Sequence, residues 1–294
     1  MDGFLIINKH LEVTSFDIVY KVKKMLNEKV GHTGTLDPLA SGVLPILVGR
    51  GTQCAKYLNS DIKEYIAKVK LGKKTSTGDN EGEIIETKDI ELDNLKKDKV
   101  LKIFKEMEGK QTQIPPMYSA IKVNGKKLYE YARQGKTVEV KPREIEIYKI
   151  ELLNIDKENV TIEFKVLVSK GTYIRTLCET IGEKLNTVGF MDSLIRTKAG
   201  DFSIDNSISL EDLNNDIQNN LDKNFITIEK FFTEYKKTDV INLNDRKLEL
   251  FLNGVKLTMQ NLDGIYKIYN KNQFIGIGIV KDKLLKRDVV IGKE

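Results

Sequence analysis

The sequence predicts an α+β fold in which a mixed, mainly antiparallel sheet is flanked by helices. Three features carry that expectation. Apolar residues alternate at Tyr65, Ala67, Val69 and Leu71, and again at Val160, Ile162, Phe164, Val166 and Val168, the period-2 signature of strands with one buried face. Helical spacing occurs in only a few places, chiefly Phe16, Val19, Val22 and Leu26, and Ile174, Leu177, Ile181 and Leu185. Strands and helices do not alternate regularly, so a parallel α/β sheet is disfavoured.

In chain order, Phe4 to Ile7 suits a buried strand, and Thr14-Ser15 with Asp17 resembles a helix N-cap. Gly31 to Pro45, with three glycines and two prolines, reads as a long ordered loop, the kind of segment where sites tend to lie. The strand around 65–71 leads through the turn Thr77 to Gly82 to an antiparallel partner at Ile84-Ile85, and a helix is expected over 92–104. Asn124-Gly125 is a hairpin signal. Two long neighbouring strands follow, with Asn154 to Asn159 as their turn, and a helix opens near Gly171-Thr172, with Tyr173 and Arg175 in its first turn. An Asn- and Asp-rich stretch to about Asn224 leads to a boundary near 235. Beyond it, short apolar runs at 240–241, 255–257, 265–268 and 275–280 suggest a small β-barrel or sandwich. Two domains are thus expected, 1–234 and 235–294.

With 294 residues, 40% of them hydrophobic and 31% charged, the chain can bury a full core. No run approaches the roughly 18 apolar residues of a membrane span, and the N-terminus lacks the basic start and cleavage site of a signal peptide. A cytoplasmic protein is expected. Cys54 and Cys178 form no closely spaced pair, and the only histidines are His10 and His32, so neither a disulfide framework nor a structural zinc site is expected. The net charge of +5 hints only weakly at a polyanionic partner, but the segment 110–143 alone carries eight basic residues against two acidic ones. Tyr118, Tyr129 and Tyr131 interleave those cations and offer stacking faces, so the segment reads as an inserted RNA-binding appendage.

An Asp before Pro in a glycine-rich loop is by default a turn former. The loop lacks the Gly-Lys-Ser/Thr of a P-loop and the spacing of a dinucleotide fingerprint, so residue chemistry alone stops at a candidate site. The fifteen residues Gly31-His32-Thr33-Gly34-Thr35-Leu36-Asp37-Pro38-Leu39-Ala40-Ser41-Gly42-Val43-Leu44-Pro45, however, closely resemble the signature of the bacterial tRNA pseudouridine-55 synthases, the TruB family. Further blocks fall in the same order: Lys63-Glu64-Tyr65, Thr75 to Gly82, Ile114 to Lys122, Gly125 to Gly135, and Ser169 to Arg175. The resemblance covers about residues 3 to 200. It implies the pseudouridine synthase fold, a small PUA-like RNA-binding domain at the C-terminus, and conversion of the uridine at position 55 in the T arm of tRNA to pseudouridine without metal or cofactor.

By that resemblance Asp37 matches the family's nucleophile, a role that suits a carboxylate able to hold the sugar covalently while the detached uracil turns. Arg175 matches the basic residue paired with it. Tyr65 matches a tyrosine that stacks on the flipped base and can act in proton removal. His32 matches a histidine that helps extract the nucleotide, Tyr173 lines the pocket, and Leu194 packs near the uracil. Lys9 matches an N-terminal lysine, although His10 follows it where the family has proline. A monomer is expected. The competing reading is a tRNA-binding or folding-helper protein whose chemistry is incidental, and a glycoside hydrolase would need a second well-placed carboxylate.

Overall fold

A computed structural model describes residues 1–59 and 61–291. Residues 292–294, which close the expected C-terminal domain, lie outside the described residues. The α+β expectation holds. One large mixed sheet runs in the order Ile208–Ser209, Gly3–Lys9, Ala40–Val48, Gly189–Ala199, Ile62–Leu71, Thr161–Ser169, Arg143–Asp156, Gly109–Gln113. Two neighbouring pairs along it are parallel, Gly3–Lys9 with Ile208–Ser209 and Ala40–Val48 with Gly189–Ala199; the others are antiparallel.

The sheet has two apolar faces because its strands Gly3–Lys9 and Ala40–Val48 carry apolar residues on both sides. Leu5, Ile7, Leu44 and Ile46 point into a core shared with Tyr65, Ala67, Val69 and the helices Ser15–Leu26, Lys97–Met107 and Ile174–Lys184. Phe4, Ile6, Val43 and Leu47 point the other way, into a cluster with Phe202, Phe231 and Phe232. Each fully buried side chain of this size contributes about 1.5–3 kcal/mol. A second, five-stranded sheet, formed within residues 240–290, has its own core around Ile241, Phe251, Ile268 and Leu285. Its Ile277 and Val289 join the phenylalanine cluster on the back of the large sheet. Asp288 adds a polar tie, accepting hydrogen bonds from Lys56 Nζ and Tyr57 Oη.

Several local expectations hold. Thr14 caps the first helix and forms a reciprocal capping box with Asp17. Asn124 and Gly125, with φ of 51° and 80°, make the expected hairpin turn between Lys122–Val123 and Lys126–Lys127. Ile174, Leu177, Ile181 and Leu185 are buried, and Cys54 and Cys178 are buried free thiols.

Others need correction. In the first helix the buried residues are Ser15, Ile18 and Val22, whereas Phe16 is 71% exposed, so the stripe is rotated from the one its apolar residues suggest. Only 33–39 of the glycine-rich stretch is loop. Val30–His32 and Ala40–Val48 are strands, and Pro45 pairs with Ile6 inside the latter. The first residues of the basic segment form the edge strand Gly109–Gln113, so the appendage proper begins after Gln113. The turn expected at 154–159 is shorter, because the strand runs on to Asp156. Sequence reasoning missed the central strand Gly189–Ala199, the helix Asp245–Leu252 and the strand Leu284–Val290.

The parallel pairing of Ala40–Val48 with Gly189–Ala199 needs a glycine at position 42. Its φ is +105°, and a Cβ there would lie 2.2 Å from the Arg196 carbonyl oxygen. Gly42→Ala is expected to destabilise the fold by at least about 2 kcal/mol, read as a lower urea midpoint. An unchanged midpoint would mean that the two strands can separate there without loss.

Candidate active site

Asp37 sits at the tip of the loop between Val30–His32 and Ala40–Val48, and Ser15, Glu12, Lys9 and Arg196 hold that loop in place. The Ser15 hydroxyl donates to Leu36 O (3.0 Å) and accepts from Leu36 N (2.9 Å). The Glu12 amide donates to Pro38 O (2.9 Å). Lys9, fully buried, donates to the carbonyls of Val13 (2.8 Å), His10 (3.0 Å) and Pro38 (3.4 Å). Arg196, also fully buried, donates Nε to Val43 O (2.8 Å) and Nη2 to Gly34 O (2.8 Å), with Nη1 3.5 Å from Thr35 O. These two cations meet backbone carbonyls, so the loop is fixed by its main chain, and the Asp37 side chain stays 46% exposed.

Arg175, the second residue of the helix Ile174–Lys184, is 7% exposed and draws four acceptors together. Its Nη2 lies 3.1 Å from Asp37 Oδ2 and 2.8 Å from Tyr118 O. Its Nη1 lies 3.3 Å from Thr77 O and 3.3 Å from Asp79 Oδ2. A planar guanidinium suits this task because its donors point in fixed directions toward several acceptors at once. Asp79 is itself buried, taking hydrogen bonds from Thr77 Oγ1 and the Glu81 amide (3.2 Å). The turn 77–79 is docked on the central strand by a hydrogen bond from Met191 N to Gly78 O (3.0 Å).

A cavity of about 230 Å³ opens beside Asp37. Tyr65, Tyr173, Arg175 and Leu194 line it together with Asp37, so five of the seven residues singled out from the sequence share one pocket. Lys9 and His32 are not among its lining residues. Lys9 instead pins the Pro38 carbonyl next to Asp37, and His32 ends its short strand with Nδ1 buried and unpartnered among the described residues. Burial and the nearby Arg196 charge push His32 below its ordinary pKa, which leaves the ring neutral near pH 7. Burial pushes the Tyr65 hydroxyl up, against the opposing pull of Arg196, so the phenol keeps its proton near neutrality.

Sequence reasoning passed over several groups that build the site. The Gln113 side chain clamps Tyr173, accepting from its amide (2.8 Å) and donating to its carbonyl (3.1 Å). Asp79 lay hidden in what reads as a turn, and Arg196 in a strand whose Leu194 alone drew notice. The shared inward face of Leu194 and Arg196, two residues apart, was the available signal. Lys63 lines the cavity two residues before Tyr65 on the same strand. Burial, with Arg196 nearby, lowers its pKa to about 8. In the basic appendage, Lys126 lies over the Tyr131 ring, and Lys127 and Arg133 lie over Tyr129, at 5.1–5.4 Å. The tyrosine faces expected to be free for stacking are thus partly occupied by the segment's own cations.

Lys63 sets a pH signature. Its folded pKa is lowered, so the ammonium opposes folding fully below about pH 8, and that opposition fades as pH rises toward the unfolded value of 10.5. Lys63→Met should therefore be more stable than the wild type below pH 8, with the gap in Tm narrowing between pH 8 and 10. A gap that stays constant with pH would contradict this placement of Lys63.

Residues 22–174 match the TruB family pseudouridylate synthase N-terminal domain, and residues 175–232 match the tRNA pseudouridylate synthase B C-terminal domain. The protein named tRNA pseudouridine synthase B from Clostridium kluyveri is 46% identical over 290 residues, covering 96% of each chain. That of Bacillus cereus is 43% identical over 263 residues, covering 87% of this chain and 84% of its own. Among solved structures, a chain from a Cbf5-Nop10-Gar1 complex superposes with a TM-score of 0.66 at 26% identity, covering 99% of this chain and 84% of its own. With residues 22–232 matched by the two family models and the resemblance to relatives running nearly end to end, the chain belongs to the TruB family of pseudouridylate synthases.

Proposed function

We propose that this protein isomerises the uridine at position 55 in the T arm of tRNA to pseudouridine, with Asp37 as the nucleophile. The observation that carries the reading is the half-exposed Asp37 carboxylate, held 3.1 Å from Arg175 Nη2 at a cavity walled by Tyr65 and Leu194. The reaction breaks the bond from ribose C1′ to uracil N1 and forms one to C5, which gives up its hydrogen while N1 gains one. A carboxylate suits it in either of two routes, by attacking C1′ directly or by adding to a glycal formed after proton loss from C2′. The leaving uracil delocalises its own charge, so no second acid is required, and no metal or cofactor is needed.

In this reading Arg175 fixes the direction of the Asp37 carboxylate by a charge-assisted hydrogen bond, and Tyr65 offers its ring as a stack for a base taken out of the T loop. Because burial outweighs the pull of the facing Arg196 charge and keeps the Tyr65 phenol protonated, any proton it accepts in the reaction requires it first to give up its own as the substrate arrives. Tyr173 and Leu194 shape the pocket around the uracil. His32 helps extract the nucleotide. Lys9 acts on the substrate through the Asp37-Pro38 turn that it holds.

The basic hairpin and short helix within 110–143 would clasp the T arm through its phosphates. The expected domain 235–294, with its five-stranded sheet within 240–290, would add a PUA-like RNA-binding surface beside the catalytic part, 1–234. The protein would work as a monomer in the cytoplasm. A tRNA-binding or folding-helper role remains the competing reading, and the chemistry separates the two.

Incubation with an unmodified tRNA transcript should place pseudouridine at the T-loop uridine. Asp37→Asn should lower that rate more than about a thousandfold, with the dissociation constant for tRNA nearly unchanged. Full tRNA binding by the wild type with no pseudouridine formed would leave only the binding reading, and release of free uracil would point to a hydrolase instead.

A further inference from the structure

Ser119 is the first residue after Tyr118, whose carbonyl accepts from Arg175 Nη2 (2.8 Å), the same nitrogen that reaches Asp37. The Ser119 carbonyl accepts from the Tyr129 amide (3.1 Å), at the short helix of the basic appendage. Its backbone is therefore held from both sides, by the site and by the appendage. The residue is 6% exposed and lines the cavity with Asp37, Tyr65 and Leu194, and its Oγ has no hydrogen-bond partner among the described residues. Buried hydroxyls are nearly always paired, and one that is not weakens the fold that holds it.

Two of the other polar groups on the cavity wall are committed elsewhere. The Thr172 hydroxyl donates to Ser169 O (2.9 Å), and Arg175 is spread over four acceptors. The apolar residues of the same cavity wall, Leu36, Ile174, Met191 and Leu194, can offer a hydroxyl no partner. The group that can meet it is whatever enters the cavity.

We propose that Ser119 is a substrate-contacting residue whose hydroxyl hydrogen-bonds the flipped nucleotide, completing its pairing only when that nucleotide enters. The proposal rests on the reading of the cavity as the seat of a flipped uridine. A nucleotide beside Asp37 offers two kinds of partner, the ribose 2′-hydroxyl and the uracil carbonyls, and a serine can serve either by donating or accepting. The contact also gives the appendage a direct route to the site. The amide of Tyr129 holds the Ser119 backbone, so a shift of the short helix on RNA docking moves the hydroxyl that meets the nucleotide.

The test is Ser119→Ala, with stability, rate and affinity measured on the full chain. Because Oγ has no protein partner to lose, Tm should stay level or rise, whereas a structural serine would lower it by several degrees. The single-turnover rate on a T-arm RNA at saturating protein should fall about tenfold, the loss of one good hydrogen bond. Affinity is then compared in an Asp37→Asn background, where no turnover intervenes. Adding Ser119→Ala there should weaken binding of RNA carrying uridine at the target. An equal weakening with 2′-deoxyuridine assigns the contact to the base, and loss of the effect assigns it to the 2′-hydroxyl. A Ser119→Ala protein with wild-type rate and affinity, or one whose losses track a lowered Tm, overturns the proposal. If the wild type run in parallel makes no pseudouridine, the reading of the site fails instead.

Discussion

The site depends on one buried guanidinium. Arg175 brings together the Asp37 loop, the 77–79 turn and the bend at Tyr118, segments far apart in sequence. A cation this deep in the protein must have acceptors, because burying it unpaired would oppose folding strongly. Two carboxylates and two carbonyls meet that need. The fold thus obtains a fixed position for Asp37 from the same interaction that makes the buried charge tolerable. Lysine could not replace the geometry, since a single ammonium lacks the paired, coplanar donors that reach Asp37 on one nitrogen and Asp79 on the other.

Around this centre the main chain is held with equal care. The loop 33–39 is held by Arg196, Lys9 and Ser15, which satisfy the carbonyls of Gly34, Leu36 and Pro38. Holding the backbone leaves the Asp37 side chain half-exposed and facing the cavity, which is the arrangement a preorganised nucleophile needs. The family's activity and the chain's own geometry meet here. Membership in the TruB family says what class of reaction is at stake, and the contacts around Asp37 say how this chain could position its residues for it.

Much of this was legible in the sequence, but unevenly. Asp37, Tyr65, Tyr173, Arg175 and Leu194 stand in contiguous motifs, and the structure brings them to one cavity. Asp79, Gln113 and Arg196 escaped notice because their importance lies in partners 60 to 162 residues away, which no local pattern encodes. The central strand Gly189–Ala199 was missed for a local reason. Its pairing with Ile62–Leu71 shifts register between Met191 and Ser193 and again between Arg196 and Lys198, so the apolar alternation that announces a strand is broken twice. Phe16 misled for the opposite reason: an exposed aromatic at helical spacing imitates a buried stripe, while the small Ser15 that actually faces the loop carries no hydrophobic signal.

The central claim is that Arg175 positions Asp37 for chemistry rather than holding RNA. It is tested most directly by measuring the single-turnover rate of Arg175→Lys on pre-bound tRNA alongside its dissociation constant. A fall in rate of more than about a hundredfold with affinity within a few-fold of wild type is the expected result. A wild-type rate in the bound complex, with the loss confined to affinity, would contradict the account.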